Sequence, residues 1–487
     1  MKLKIKYRPS YRFQKLFRVD KEFRVIAPVT RRTVEVARAF GLGIDEEKAF
    51  TLFREFEVDI NPGDIVYVTG ESGGGKTTLL LMLAEEMSKH KEFMPIVTER
   101  NIAIRRKELV IHGVGESFQQ ALEILNYTGL SDAYIYLRRY EELSDGQKYR
   151  YKLAKALDKN AKTLVFDEFC ATLDRETAKV VAYLIQKICR KMGITLVVAT
   201  THEDLIYDAN PNILIRKGLG PEVEIEYFKP KPRECSLMKN IVIEQGDMRD
   251  LKSLEFWHYK GGFRGWGAKI YRAKLGGKVV GVILYTYPHA YLKARYEAFT
   301  HLRELSRKSR KSYLDYVNRC FRRLARIIVH PKYRGIGLSV KLIRETMPLL
   351  GVPYVECLAA MARYHPFLEK AGMMRIDTRP SEMIEYIYRR LEEMGFRLDM
   401  IQSKKHNLEV LKTLDKPVLK RLKKIMLKTY NPKFKRDAKL LKKVVYGDIE
   451  AMAEALKKTP IPTVYYVWKN PVYKEYPDPQ NLNSQKN

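Results

Sequence analysis

Between Gly70 and Thr77 the chain reads GESGGGKT, residue types and a spacing that suit a polyphosphate. Gly70, Gly73, Gly74 and Gly75 let backbone N–H groups curl around phosphate oxygens where a helix begins, and the helix start adds partial positive charge. Lys76 is placed to reach the β and γ phosphates, Thr77 to give a hydroxyl ligand to Mg2+, and Thr78 belongs to the same ATP-binding set. Asp167 and Glu168 in LVFDEF supply the other half of hydrolysis. Asp167 would join Thr77 on the metal, and Glu168 would polarise the attacking water as the general base.

The elements that must hold these groups are legible around them. DIVYVT predicts a short strand before the glycine loop and KTTLLLMLAEEM a helix after it. Residues 163–166 predict an apolar strand delivering Asp167. RETAKVVAYLIQKICRKM predicts a helix stopped by Gly193, and ITLVVAT a further strand ending beside His202.

With LSDGQ at 143–147 resembling their signature and ATLD ending at Asp174 resembling their D-loop, the series resembles the ABC-type ATPases, which carry these motifs in this order. The resemblance implies that His202 contacts the γ-phosphate. It also implies that Ser144, Gly146 and Gln147 close over a nucleotide held by another subunit, giving a head-to-tail homodimer around two ATP. Two departures stand out. The stretch from Lys76 to Ser144 is shorter than the family allots to the subdomain that docks on membrane partners, and Gln119 and Gln120 read as surface polar residues rather than a Q-loop. Both point to the soluble ABC proteins that act on DNA, RNA or ribosomes.

A second glycine loop follows in RLARIIVHPKYRGIGLSVKLIRETM, again strand, turn and helix start but without a phosphate-loop lysine, as suits a diphosphate. It resembles the motif of the GNAT acetyltransferases, with Arg334, Gly335, Ile336, Gly337, Leu338 and Ser339 in the loop and Ile328 and Val329 on the strand beside the pantetheine arm of acetyl-CoA. VPYVECLAAMARYHPFLEKAGM follows where that family has its fifth strand and next helix. Leu368 stands where a tyrosine often serves as general acid, leaving that role vacant or to Tyr364 or His365. Glu356 is the candidate base for the acceptor amine, with a structural ion pair as the alternative. His258 and Tyr259 would form the acceptor lip, Phe256 and Trp257 beside them would be core, and Cys357 a buried, inert thiol. The combination resembles archaeal fusions of an ABC ATPase with an acetyltransferase, and the second part is similar to phage Mom proteins that modify adenine in DNA.

Ninety Lys and Arg against 58 Asp and Glu leave a net charge of +32, so a polyanion is the first partner to consider. The charge gathers in the N-terminal KLKIKYRPSYRFQKLFR, in HLRELSRKSRKSYLDYVNRCFRR, and over 401–450, where Asp415 and Pro417 open an amphipathic helix burying Val418, Leu419, Leu422, Ile425 and Met426. No apolar run reaches the length of a membrane span, no secretory h-region opens the chain, and the five scattered cysteines suit a reduced cytoplasm.

These readings predict an α/β chain with a basic N-terminal arm at 1–34, an ABC-type ATPase domain at 35–225, a linker at 226–240, a GNAT-like domain at 241–395 with a basic insert at 289–323, and a basic helical extension at 396–487 that ends in an extended strap. The expected function is a cytoplasmic ATP-dependent acetyltransferase using ATP, Mg2+ and acetyl-CoA, acting on a base amine of RNA, with DNA second. Two alternatives stay open: a protein N-acetyltransferase docked on nucleic acid or the ribosome, and an ABC ATPase of DNA maintenance with a non-catalytic GNAT domain.

Overall fold

The computed structural model describes residues 4–5, 16–25, 28–41, 48–220, 222–258, 269–360, 362, 364–377, 382–434, 438–459 and 463–473. The chain divides into two compact units, one of residues 1–264, 269–284 and 326–345, the other of 265–268, 285–325 and 346–487.

The first unit is built on a seven-stranded sheet in the order Lys4–Ile5, Val223–Tyr227, Ile213–Lys217, Ile65–Thr69, Thr195–Ala199, Thr163–Phe166, Ile96–Thr98. From Ile213–Lys217 to Ile96–Thr98 the pairings are parallel. Parallel strands are covered on both faces, which is why they read as continuous apolar runs. Side chains alternate between two cores: Val66, Val68, Val165, Val197 and Ala199 enter one, while Ile65, Tyr67, Leu164, Phe166, Leu196 and Val198 enter the other. All the parallel strands end at the same sheet edge, and that edge carries the chemistry.

Three expectations about this unit are corrected. Leu16–Val25 pairs antiparallel with Lys48–Asp59 and buries Phe17 and Val19 in the first of those cores, so this part of the basic arm is ATPase scaffold. Most of the rest of the arm lies outside the described residues. The stretch 226–240 is no free linker: Val223–Tyr227 pairs with Ile213–Lys217, and the buried Asp208 carboxylate accepts the Ser236 N–H at 2.7 Å and its hydroxyl at 2.6 Å. Residues 326–345 cluster with the ATPase rather than with the rest of the expected acetyltransferase.

Also in this unit, Val242–Gln245 pairs antiparallel with Lys269–Leu275, which turns into Lys278–Thr286 through Gly276 and Gly277. Both glycines have positive φ, 54° and 80°, as a two-residue hairpin turn requires. The helix Leu338–Thr346 lies on this hairpin so closely that a Cβ on Gly281 would stand 3.0 Å from Leu342.

In the second unit the start of Phe321–Val329 runs parallel to Tyr354–Ala359, Phe321 facing Tyr354 and Arg323 facing Glu356. Val464–Lys469 then pairs antiparallel with both Tyr354–Ala359 and Met374–Ile376. The expected extended strap is therefore a sheet strand, with Tyr465 and Tyr466 fully buried. Burial of both faces stabilises it where a strap would remain solvated. The basic insert consists of the helices Lys293–Ala298, Thr300–Lys308 and Arg310–Cys320, its last residues already opening the strand. Five helices between Glu382 and Leu456 share a separate core of Leu391, Leu411, Leu422, Met426, Val444 and Met452. Among the described residues no helix is long and apolar enough to cross a membrane.

Candidate functional site

The strand Ile65–Thr69 delivers the chain into the glycine loop, and the helix Lys76–Ser88 leaves it. Gly70, at φ 134°, passes so near the strand Ile213–Lys217 that a Cβ would fall 2.0 Å from the Lys217 carbonyl oxygen. Only glycine fits there. Gly74 departs from the expectation that it offers its N–H to phosphate. That N–H donates to the Glu71 carbonyl at 3.2 Å and closes the loop's own turn, while a Cβ on Gly74 would fall 2.9 Å from the Gly218 carbonyl oxygen and 3.0 Å from that of Lys217. Gly74 thus gives the loop its close approach to the neighbouring strand. The ammonium of Lys76 donates to the carbonyls of Gly70 (3.0 Å) and Glu71 (2.6 Å), which sets the lysine over the concavity. A cavity of about 470 Å3 opens here, lined by Thr69, Gly70, Glu71, Ser72, Thr201 and Glu203.

A second cavity, of about 460 Å3, joins the helix start to the acidic strand and is lined by Thr77, Leu81, Glu99, Arg100, Lys152, Asp167 and Glu168 among others. The Thr77 hydroxyl donates to Asp167 Oδ2 at 2.5 Å, so the two expected Mg2+ ligands already converge. Their hard oxygen donors fit that ion, with phosphate and water oxygens left to complete an octahedron. Glu168 follows on a left-handed backbone (φ 48°), its N–H donating to Asp167 Oδ1 at 2.9 Å, and the exposed side chain borders the same cavity. That reversal aims two consecutive acids at one site from one strand end.

Glu99 is a member of this site that the sequence did not reveal. It follows the strand Ile96–Thr98, in no motif, and reaches the cavity because that strand runs parallel to Thr163–Phe166 and ends at the same edge. Lys152, from the helix Asp145–Leu157, holds it at 2.7 Å, and the bond raises the lysine pKa. Gln119 and Gln120 are exposed on the helix Phe118–Tyr127, as surface residues would be.

Ser144 caps the helix Asp145–Leu157 in a reciprocal box with Gln147: its N–H donates to Gln147 Oε1 at 3.1 Å and its hydroxyl accepts the Gln147 N–H at 3.4 Å. Ser144 is exposed, and among the described residues this box accounts for its side-chain bonding. The signature thus presents a helix N-terminus outward rather than to its own glycine loop. Gly146 lies close to Leu173 of ATLD; a Cβ there would meet it at 3.1 Å. His202 follows the strand Thr195–Ala199, and its carbonyl accepts the Tyr67 hydroxyl at 2.5 Å, which moors it above the sheet edge.

The family model described as ABC transporter matches residues 53–171. This chain carries an ABC-type ATPase domain. The methionine import ATP-binding protein MetN 1 of Oceanobacillus iheyensis is 29% identical over 233 residues, 41% of this chain and 62% of that protein. MetN of Corynebacterium diphtheriae is 32% identical over 211 residues, 37% of this chain and 61% of its own length. The chain thus spans a little under two thirds of these relatives. Among solved structures, the ATP-binding cassette MJ0796, dimeric and bound to ADP and Pi, aligns at 20% identity and a TM-score of 0.30, covering 38% of this chain and 92% of that one.

The second glycine loop leads from the strand Phe321–Val329 into Leu338–Thr346 and is tied to the D-loop of the ABC domain. Lys332 pairs with Asp174 at 2.5 Å and with Glu176 at 2.6 Å, and the Tyr333 hydroxyl donates to Glu176 at 2.7 Å. Gly335, at φ 85°, packs on Leu184 of the D-loop helix Arg175–Met192. Arg334 departs from its expected role: its guanidinium donates to the carbonyls of Val329 (2.9 Å), Trp257 (3.2 Å) and Ser131, so it braces the loop. Ile328 and Val329 are buried, Gly335 and Gly337 are exposed with positive φ, and Ser339 is half-buried. No described residue accepts the N–H of Gly335, Ile336 or Gly337. Leu338 turns inward to the core.

Lys332 and the Tyr333 hydroxyl hold the Glu176 carboxyl below the usual carboxylate range. A depressed carboxylate contributes its tie above its unfolded pKa and loses it as pH falls through the folded value. Lys332→Ala is therefore expected to raise exchange of the hydrogen-bonded amides of Lys332's neighbours Tyr333 and Arg334 a few-fold, the scale of partly exposed charge-assisted pairs. In the unmodified chain the same loosening is expected only in acid below the ordinary carboxylate range, read by exchange corrected for its intrinsic rate. Unchanged exchange in the variant would show that the pair does not hold the loop.

Glu356 is not placed to act as a base. It is 1% exposed and forms a two-pronged pair with Arg295, itself 0% exposed, at 2.9 and 2.7 Å, and also accepts the Tyr465 hydroxyl at 3.0 Å. Arg295 also donates to the Tyr313 hydroxyl and the His289 carbonyl, both at 2.9 Å. Leu368 is fully buried, so the place of the expected tyrosine faces the core. Tyr364 is 37% exposed and His365 half-buried beside it. Cys357 is buried, its thiol pushed up to about 12 by desolvation, as an inert thiol should be. His258 is half-buried, while Phe256 is 73% exposed and stacks on Tyr134, which corrects its expected place in the core. Tyr259 lies outside the described residues.

Proposed function

We propose that this chain is an ATP-driven acetyltransferase of nucleic acid, working as a homodimer in which each signature closes over the partner's ATP. The observation that carries the transferase half is the loop at 334–339: two left-handed glycines opening a helix, with three consecutive amides that no described residue accepts. Such a nest suits a diphosphate, and the amides of Gly335, Ile336 and Gly337 would hold that of acetyl-CoA beside the strand ending at Val329. Acetyl-CoA supplies a thioester when bound. Parallel pairing of Phe321–Val329 with Tyr354–Ala359, and a last strand inserted between Tyr354–Ala359 and Met374–Ile376, support the same reading.

Tyr364 and His365 remain the candidates to move a proton, now that Glu356 is committed to Arg295; His258 remains the candidate acceptor lip. In the ATPase half, Glu168 would take a proton from water and His202 would contact the γ-phosphate. The tie of Lys332 to Asp174 supports a link between ATP-driven dimer closure at the D-loop and the acyl-carrier loop. A net charge of +32 favours a polyanionic acceptor, for which we take RNA first and DNA second.

Isothermal titration is expected to show acetyl-CoA binding that falls at least tenfold in Gly337→Val, because φ 102° is closed to a β-branched residue, while ATP binding is kept. Labelled acetyl-CoA offered with RNA, DNA and protein is expected to mark RNA. Label on protein alone would instead favour a protein N-acetyltransferase. The names of the matched relatives favour a second reading, the ATPase of an import system. Turnover raised by membranes holding a cognate transporter and indifferent to polynucleotide would establish it.

A further inference from the structure

Two exposed tyrosines of the second unit each have an arginine over the ring. Over 287–323 the chain has ten Lys and Arg against three Asp and Glu, and Arg295 alone among the ten is consumed by the buried pair with Glu356. Tyr287 is 45% exposed, and the Arg322 guanidinium lies 4.6 Å from its ring centre. Tyr291 is 48% exposed, with Arg310 at 5.7 Å from its ring, and it stacks at 5.8 Å and 13° on the buried Tyr313, which fixes its plane. Arg322 donates to the carbonyls of Asn318 and Phe321, and Arg323 to the Thr286 hydroxyl and the His289 ring. Among the described residues, no carboxylate lies within ion-pair distance of Arg310, Arg322 or Arg323.

Cations left without counter-charge beside flat exposed rings call for a ligand that carries both anions and π faces. A bilayer would want a broad apolar face, and a duplex keeps its bases stacked away from such rings. An unpaired strand offers a phosphate and a free base at each step. We propose that Tyr287, Tyr291, Arg310 and Arg322 form a stacking platform for a single-stranded polynucleotide, bases on the rings and phosphates on the arginines. The proposal rests on the nucleic-acid reading above and narrows it to unpaired strands.

The test uses the full chain and fluorescence anisotropy with a labelled twelve-nucleotide RNA, the DNA of the same sequence, and the RNA duplex. Single strands are expected to bind more tightly than the duplex, and the RNA and DNA arms assign which sugar is preferred. Tyr287→Ala with Tyr291→Ala is expected to weaken single-strand binding at least tenfold, while the Phe pair keeps it. Arg310→Ala with Arg322→Ala is expected to flatten the dependence of log affinity on log salt by about 1.4, roughly 0.7 per lost phosphate contact. Equal affinity for the duplex, or unchanged binding in the Ala pair, would overturn the platform. A chain that binds unpaired strands through these rings yet acetylates none of them would refute the transferase reading alone. One that acetylates RNA equally well with both tyrosines removed would refute the platform alone.

Discussion

Replacing Glu168 by Gln is expected to lower ATP turnover about 100- to 1000-fold while leaving ATP binding within a few-fold of the unmodified chain. The reason is geometric. Thr77 and Asp167 meet at 2.5 Å and can hold Mg2+ without Glu168, whereas Glu168 reaches the same cavity from a reversed backbone at φ 48° and is free to take a proton from water. Glutamine keeps the shape and cannot accept that proton. At 25 °C a 100-fold loss corresponds to about 2.7 kcal/mol of transition-state stabilisation. Asp167→Asn should separate from it by losing the Mg2+ dependence of nucleotide binding, since it removes charge from the metal side. The two are told apart by single-turnover hydrolysis beside equilibrium binding of a labelled nucleotide. Turnover within fivefold of normal in Glu168→Gln would assign the base elsewhere, and Glu99, held by Lys152 on the wall of the same cavity, would be next to replace.

Removing Glu356 is expected to destabilise the second unit rather than to slow a chemical step. Glu356→Ala leaves Arg295 fully buried with its main counter-charge gone, a class of change that costs about 3–5 kcal/mol. Replacing both partners with apolar residues of similar volume, Arg295→Met with Glu356→Leu, should recover much of that loss, because an unpaired buried charge is the larger part of the penalty. Tyr313 and the His289 carbonyl also lose a donor in the double variant, so recovery is expected to be incomplete. Denaturant unfolding of the three proteins measures this directly. A stable Glu356→Ala protein whose acyl transfer fails with an altered pH profile would return Glu356 to catalysis.

Much of the ATPase site was legible in the residue order because its parts act over short distances. A glycine loop works through contiguous backbone: Gly70, Gly73 and Gly75 have positive φ, and the helix begins at Lys76. Apolar runs at 163–166 and 195–199 had to be strands, and parallel strands deliver whatever follows them to one edge, so Asp167, Glu168 and His202 could be placed from the residues alone. The stop at Gly193 and the caps at Ser144 and Asp174 are equally local.

Tertiary structure decided what depends on partners distant along the chain. Gly74 reads like its neighbours in the loop, yet what requires a glycine there is the backbone of Lys217 and Gly218, more than 140 residues on. Glu99 sits in no pattern and becomes part of the site only through the pairing of its strand with Thr163–Phe166. Glu356 faces Arg295, 61 residues away, and that contact turns a candidate base into a buried ion pair. VYYVWK has the composition of a solvated strap as much as of a strand, and it became a strand because Tyr354–Ala359 and Met374–Ile376 offered two open edges. The arginine of the second glycine loop was placed correctly in the chain but not in its task, since the carbonyls of Ser131 and Trp257 that it braces arrive from other segments. Types and spacing specify what a local backbone can do. Which distant group will claim a given side chain is set by how the folded chain returns upon itself.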